Sequence, residues 1–193
     1  MVSIAATSKK YRGRKAVTYD AVRTKQQRWR LENEAVERML RALQPEWVLD
    51  VPCGTGRFFE LYRALGCSVT AVDVSEEMLA LAKAKLRRGH KVNLVRCGIE
   101  DVPKDNFDAA VCVRFLDLID EQAMHMAVRT LCGAARRAVI LTIRLGDKYV
   151  PKVNTAEHDE KKFRALVKRL GWRVAEQVPV FNAGWHIIRL EKA

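Results

Sequence analysis

Nothing in this chain has the spacing of a metal centre or a disulfide framework. Its five cysteines, Cys53, Cys67, Cys97, Cys112 and Cys132, form no CxxC pair and lie mostly within apolar segments. That pattern disfavours zinc and cystine bridges and fits reduced, buried thiols in a cytoplasmic protein. No apolar run reaches the length of a membrane span, and the opening MVSIAATSKKYRGRK has no apolar core of secretory-signal length. Internal repeats and low-complexity tracts are also missing. Hydrophobic residues still make up 49% of the 193 positions, enough for one domain with a sizeable core.

Acidic residues are scarce at the start. Residues 1–30 hold nine Lys or Arg against the single acid Asp20, in a chain of net charge +12. This predicts a basic mobile arm over residues 1–16 and one domain over 17–193. The arm is a solvated tail, a targeting segment or a handle for nucleic-acid phosphates, and composition does not choose among them.

Past the arm, Val36, Met39, Leu40 and Leu43 recur at helical spacing, predicting a cap helix over about 24–44. Strands are predicted at EWVLDV, SVTAVDV, KVNLVRC, FDAAVCV and RAVILTIRL, with helices between them. Ser75 and Asp120 are placed to cap two of those helices, the first running through EEMLALAKAKLRR. Residues 145–156 read as a loop. A helix with Phe163, Leu166, Val167 and Leu170 on one face follows, closed by Gly171. RVAEQVPVF and GWHIIRL, joined by the turn NAG, read as a closing hairpin. The predicted fold is α/β, a Rossmann-like doubly wound sheet of seven mostly parallel strands with a C-terminal antiparallel hairpin.

In such sheets ligands bind beyond the carboxyl ends of the strands. The first strand ends in Asp50, and Gly54 and Gly56 then let the backbone approach a ligand with no Cβ between. Asp73 ends the second strand nineteen residues after Gly54, where a carboxylate can accept from both hydroxyls of a ribose. Two absences narrow the nucleoside. The third glycine of a dinucleotide fingerprint is replaced by Phe59, and no GK[ST] of a P-loop exists.

VLDVPCGTG followed by VTAVDVSEEMLALAKAK resembles the class I S-adenosylmethionine-dependent methyltransferases of small-molecule type. The likeness covers motifs over roughly residues 45–145, with Pro52 where the family often has its first glycine. It implies that S-adenosylmethionine is the methyl donor and that no metal is needed. It further implies that Asp50 orders the loop beside the methionine part, that Gly54 and Gly56 back the cofactor, and that Asp73 holds the ribose. Val74 and Met78 would pack on adenine, with Thr55, Arg57 and Val113 completing the wall. Gly98 stands where the family often has an acid, so Ile99 would supply apolar packing and Glu100 a polar contact. Tyr19 and Arg23, ahead of the cap helix, would close the site.

The segment VRFLDLID after the fourth strand should flank the transferred methyl group. Arg114 is expected to orient an anionic substrate or the cofactor carboxylate, and Asp117 to act as a base if the acceptor needs one. The family's amino-methylating nucleic-acid enzymes carry [DN]PP[YF] where this chain reads VRFL. The cytosine-C5 enzymes carry a Pro-Cys there, whereas Pro52-Cys53 lies in the cofactor loop. A small-molecule acceptor is therefore expected. An RNA-directed enzyme using the basic arm, or a silent subunit that only binds S-adenosylmethionine, are the rival readings.

Overall fold

The computed structural model describes residues 18–151, 155–180 and 184–193. The arm expected over 1–16 lies outside the described residues, as does most of the NAG turn. Two helices, α1 (Tyr19–Arg23) and α2 (Gln27–Leu43), lead into β1 (Trp47–Asp50), α3 (Phe59–Leu65) and β2 (Ser68–Val72). Next come α4 (Glu76–Ala84), β3 (Lys91–Val95), β4 (Phe107–Cys112), α5 (Glu121–Ala134) and β5 (Ala135–Gly146). The short β6 (Val150–Pro151) and β7 (Ala156–Asp159), α6 (Glu160–Arg169), β8 (Trp172–Pro179) and β9 (Trp185–Lys192) complete the order.

Among the described residues the main run of the sheet is β3-β2-β1-β4-β5-β9-β8. The first five strands are parallel, and β9 and then β8 add antiparallel at the β5 side. Strands covered on both faces should read as continuous apolar runs, and all six residues of β4 are buried. Pleating sends alternate side chains to two cores. Val48, Ala109, Val111 and Ile140 pack with Val36, Leu40, Phe59 and Tyr62 of α2 and α3. Leu49, Ala110, Val139 and Leu141 pack with Met124, Val128, Phe163 and Leu166 of α5 and α6.

Two elements depart from the sequence reading. Helix α4 stops at Ala84 instead of continuing through Arg88. The His90 ring takes the Arg87 amide at 2.8 Å, and Gly89 turns at φ +93, so the backbone leaves the helix there. The expected loop over 145–156 holds β6 and the start of β7, which pairs parallel with the end of β5. Alternation explains it: Ala156 and His158 are buried, and the His158 Nε2 lies 2.8 Å from the Leu116 carbonyl.

At the opposite end of the sheet, the buried Asp108 joins β1 to β4. Its carboxylate accepts from the Glu46 and Trp47 amides at 2.9 and 3.0 Å and from the Arg136 Nε at 2.8 Å. Removing it strands two amides. Asp108→Ala should therefore lower the unfolding free energy by about 1–3 kcal/mol in urea titration. An unchanged urea midpoint would show that water satisfies those amides.

Candidate functional site

A cavity opens beyond the carboxyl ends of β1, β2 and β4, under α1 and α2. Its floor is Asp50, Pro52, Cys53, Gly54 and Thr55, its β2 side is Asp73, Val74 and Met78, and its β4 side is Val113, Arg114 and Phe115. Tyr19 and Trp29 roof it, with Arg57 and Phe58 at the wall. Asp50 is 2% exposed, and its Oδ2 has no hydrogen-bond partner. Burial pushes this carboxyl up to about 8, against the neighbouring Tyr62 hydroxyl and with the help of Asp73. An acid kept protonated by an apolar setting, with one oxygen unpartnered, is prepared for a cationic donor.

Asp73 is held differently. Its Oδ2 accepts from the Gly54 amide at 2.9 Å and its Oδ1 from the Ser75 amide at 2.8 Å. Burial raises its pKa, and the amides of Ser75, Gly54 and Val74 oppose that rise. The acid at the end of β2 thus pins the glycine loop after β1. Ser75 in turn caps α4 by accepting from the Met78 amide at 3.3 Å. The two glycines of the loop serve different needs. A Cβ on Gly54 would meet no atom within 4 Å, so that side is open to a ligand. A Cβ on Gly56, at φ +74, would lie 2.6 Å from the Phe59 ring.

The roof is fastened by charge. Glu32 of α2 is fully buried among three guanidinium groups. Its Oε1 accepts from the Arg28 Nε at 2.6 Å; its Oε2 accepts from the Arg57 Nη1 at 2.8 Å and the Arg114 Nε at 2.7 Å. Burial alone would raise the Glu32 carboxyl; Arg114, Arg28 and Arg57 outweigh it and hold the group below its usual range. Arg57 also donates to Asn33 and to the Trp29 carbonyl, and its guanidinium lies 3.6 Å from the centre of the Trp29 ring. Helix α1 is latched through Asp20, which accepts from the Thr55 hydroxyl at 2.7 Å and pairs with Lys85.

Of the residues singled out by sequence, Tyr19, Asp50, Gly54, Thr55, Arg57, Asp73, Val74, Met78, Val113 and Arg114 come together around this cavity. Gly56, Arg23, Ile99, Glu100 and Asp117 are not in its wall. Gly56 is occupied by Phe59, and Arg23 reaches the Tyr19 ring and Gln26 instead. Ile99 is buried in the core on the α5 side, and the Glu100 carboxylate folds back on Gly98. Asp117 falls between the lining residues Phe115 and Leu118 but is buried away from the cavity, with Oδ1 unpartnered and its pKa raised by that burial. Glu32 and Phe58 escaped the sequence reading. The signal for Glu32 was present: it falls on the same α2 face as the buried Trp29, Val36, Met39 and Leu43.

Glu32→Gln should be strongly destabilising, by about 3–5 kcal/mol, because three buried guanidinium groups lose their counter-charge. The linkage has a fixed sign. The folded pKa lies below the reference 4.5, so this stability is complete above that pH and is lost on acidification through the lower folded value. Denaturant titrations at several pH values check both. A variant as stable as the parent would show that the arginines find other partners.

Residues 48–137 match the family model described as a methyltransferase domain. The ubiquinone biosynthesis O-methyltransferase of Colwellia psychrerythraea is 27% identical over 141 residues, covering 65% of this chain and 57% of that one. The enzyme of the same name from Klebsiella pneumoniae is 30% identical over 141 residues, covering 65% of this chain and 58% of that one. The chain thus spans little more than half the length of these relatives. The magnesium protoporphyrin IX methyltransferase of Synechocystis, solved with S-adenosylmethionine bound, superposes at TM-score 0.72 with 22% identity. That match covers 83% of this chain and 77% of the other, and it speaks for the fold. Residues 48–137 thus match a methyltransferase domain, and the motifs and strand order of the chain are similar to those of the class I S-adenosylmethionine-dependent methyltransferases.

Proposed function

We propose that the chain transfers a methyl group from S-adenosylmethionine to a small-molecule acceptor. The observation that carries this reading is the buried, unpartnered oxygen of Asp50 beside the open side of Gly54. The cofactor supplies an electrophilic methyl on a sulfonium, which an acceptor atom can displace in line. Everything else falls to the protein. Asp50 would take the ammonium of the methionine part as its carboxylate. Asp73 has both oxygens on backbone amides, and each retains a lone pair for a ribose hydroxyl. Val74 and Met78 offer the apolar wall for adenine. Tyr19 and Trp29, edge to face with centroids 6.2 Å apart, keep water from the reacting end.

No base is required where the acceptor atom is already unprotonated. Asp117 is buried behind the wall, its pKa raised by that burial, and does not reach the cavity to serve as one without rearrangement. Residues 17–193 are read as the methyltransferase domain, with α2 as its cap. The relatives' name supports a small oxygen acceptor. A nucleic-acid substrate would rest on the basic segment at 1–16, outside the described residues. All five cysteines are free, which supports a reducing, cytoplasmic setting; among the described residues no helix is long and apolar enough to cross a membrane.

The demethylated product, S-adenosylhomocysteine, carries the same ammonium and ribose and gives a direct test. Ligand-free Asp50, with its pKa near 8, is mostly protonated at pH 7 and must ionise to pair with the ammonium. Binding should release close to one proton near pH 7, and affinity should rise with pH until about 8. Calorimetry in buffers of different ionisation enthalpy reads the proton directly, and Asp50→Asn should bind weakly with no release. Failure of the parent protein to bind would sink the reading.

A further inference from the structure

The guanidinium of Arg114 is a firmly held cation of the cavity wall, and part of it is unused. Arg114 sits in left-handed backbone at φ 60, which a bulky residue adopts at a cost. Its own amide donates to the Thr142 hydroxyl on β5 at 2.6 Å, fixing that conformation. Its Nε is held by Glu32, and its Nη1 donates to the Gln26 side chain at 3.1 Å. The side chain is only 9% exposed, and Nη2 is buried with no hydrogen-bond partner. A buried charged donor without an acceptor is costly, so such an arrangement is expected where a ligand completes it.

Charge points to the kind of ligand. Arg28, Arg57 and Arg114 share one ion-paired carboxylate, Glu32, and the buried Asp117 that also acts on Arg28 and Arg114 forms no ion pair with them, which leaves an excess of positive charge at this end of the cavity. The surplus is not spread evenly. Arg57 uses its Nε, Nη1 and Nη2 within the protein, and the Arg28 guanidinium stacks on the Trp185 ring at 3.6 Å. Arg114 alone of the three both lines the cavity and keeps a nitrogen unpartnered.

Position tells cofactor from acceptor. The groups that suit S-adenosylmethionine lie at β1 and β2, Asp50 ending the first and Asp73 following the second, whereas Arg114 follows β4 and is anchored to β5. The cofactor would thus occupy the β1–β2 side, leaving the β4–β5 side to the acceptor. We propose that the methyl acceptor carries an anionic group, a carboxylate or an equivalent oxyanion, that pairs with the Arg114 Nη2. Glu32 is then a positioning residue that acts through Arg114 and does not touch the acceptor. This rests on the methyltransferase reading, which must hold first.

Benzoate and its neutral counterpart benzamide, in protein saturated with S-adenosylhomocysteine, serve as probes. Benzoate should bind, observed by calorimetry or by chemical-shift change at the cavity residues, and benzamide should bind at least about tenfold more weakly. Arg114→Gln removes the charge and the Nη2 donor while leaving a shorter polar side chain, and should weaken benzoate by about tenfold or more, the loss of a charged hydrogen bond. It should leave benzamide and S-adenosylhomocysteine unchanged, and Arg114→Lys should recover part of the benzoate affinity. Equal binding of benzoate and benzamide overturns the proposal. So does an Arg114→Gln protein whose loss lies in S-adenosylhomocysteine affinity, which would assign the guanidinium to the methionine carboxylate. A parent protein that fails to bind S-adenosylhomocysteine instead removes the methyltransferase reading beneath it.

Discussion

One carboxylate holds the site together. Glu32 sits at zero exposure and takes hydrogen bonds from arginines in three parts of the chain. Arg28 is on its own helix, Arg57 opens the segment after the glycine loop, and Arg114 follows β4. Helix α2, the segment after the glycine loop and the segment after β4 therefore meet at one charge. Magnitude separates this from the many other ion pairs. Arg30–Glu34 has the same i,i+4 spacing as Arg28–Glu32, yet its side chains are 66% and 57% exposed. Exposed pairs of that kind contribute about 0–1 kcal/mol, whereas removing one partner of a buried pair costs several. The cluster is a constraint on geometry more than a source of stability, since desolvating four charged groups offsets much of their attraction.

The contrast explains what could be read from sequence. Strand periodicity, the caps at Ser75 and Asp120, and the acids ending β1 and β2 are local signals, and the structure has them where the residues indicated. Glu32 looks from its neighbours like half of an ordinary surface pair, because its second oxygen meets residues 25 and 82 positions away. Only its place on the buried stripe of α2 sets it apart. The early end of α4 was hidden for a similar reason. Lys-Leu-Arg-Arg after Ala84 is compatible with helix, and the stop comes from His90 accepting the Arg87 amide. Strands β6 and β7 are too short for the alternation at Ala156 and His158 to stand out in the sequence, and the pairing of β7 with β5 and β6 is decided by tertiary contacts.

Asp73 shows how one residue links folding to binding. Its carboxylate holds the backbone of the loop after β1 and the start of α4 before any ligand arrives. The loop then need not reorganise when a nucleoside enters, which lowers the entropic cost of binding. The Asp20 contact with Thr55 and Lys85 does the same for the roof, with a weaker hold because Asp20 and Lys85 are partly exposed. The floor and α2 are firmly fixed, and α1 is held more lightly.

The same loop also explains why a nucleoside, and not a dinucleotide, fits this fold. A pyrophosphate needs its third glycine so that the helix can start close against the strand and present free amides. Here that position is Phe59, 1% exposed, and its ring fills the space beside Gly56. Gly56 is therefore required by the phenylalanine and by its own positive φ, not by a phosphate. Gly54 faces empty space, next to the unpartnered Asp50 oxygen. The path along which a second phosphate would run is closed by an aromatic ring, and the path toward a cation at Asp50 is open. That difference is what the proposed seat for an adenosyl group bearing an ammonium rests on.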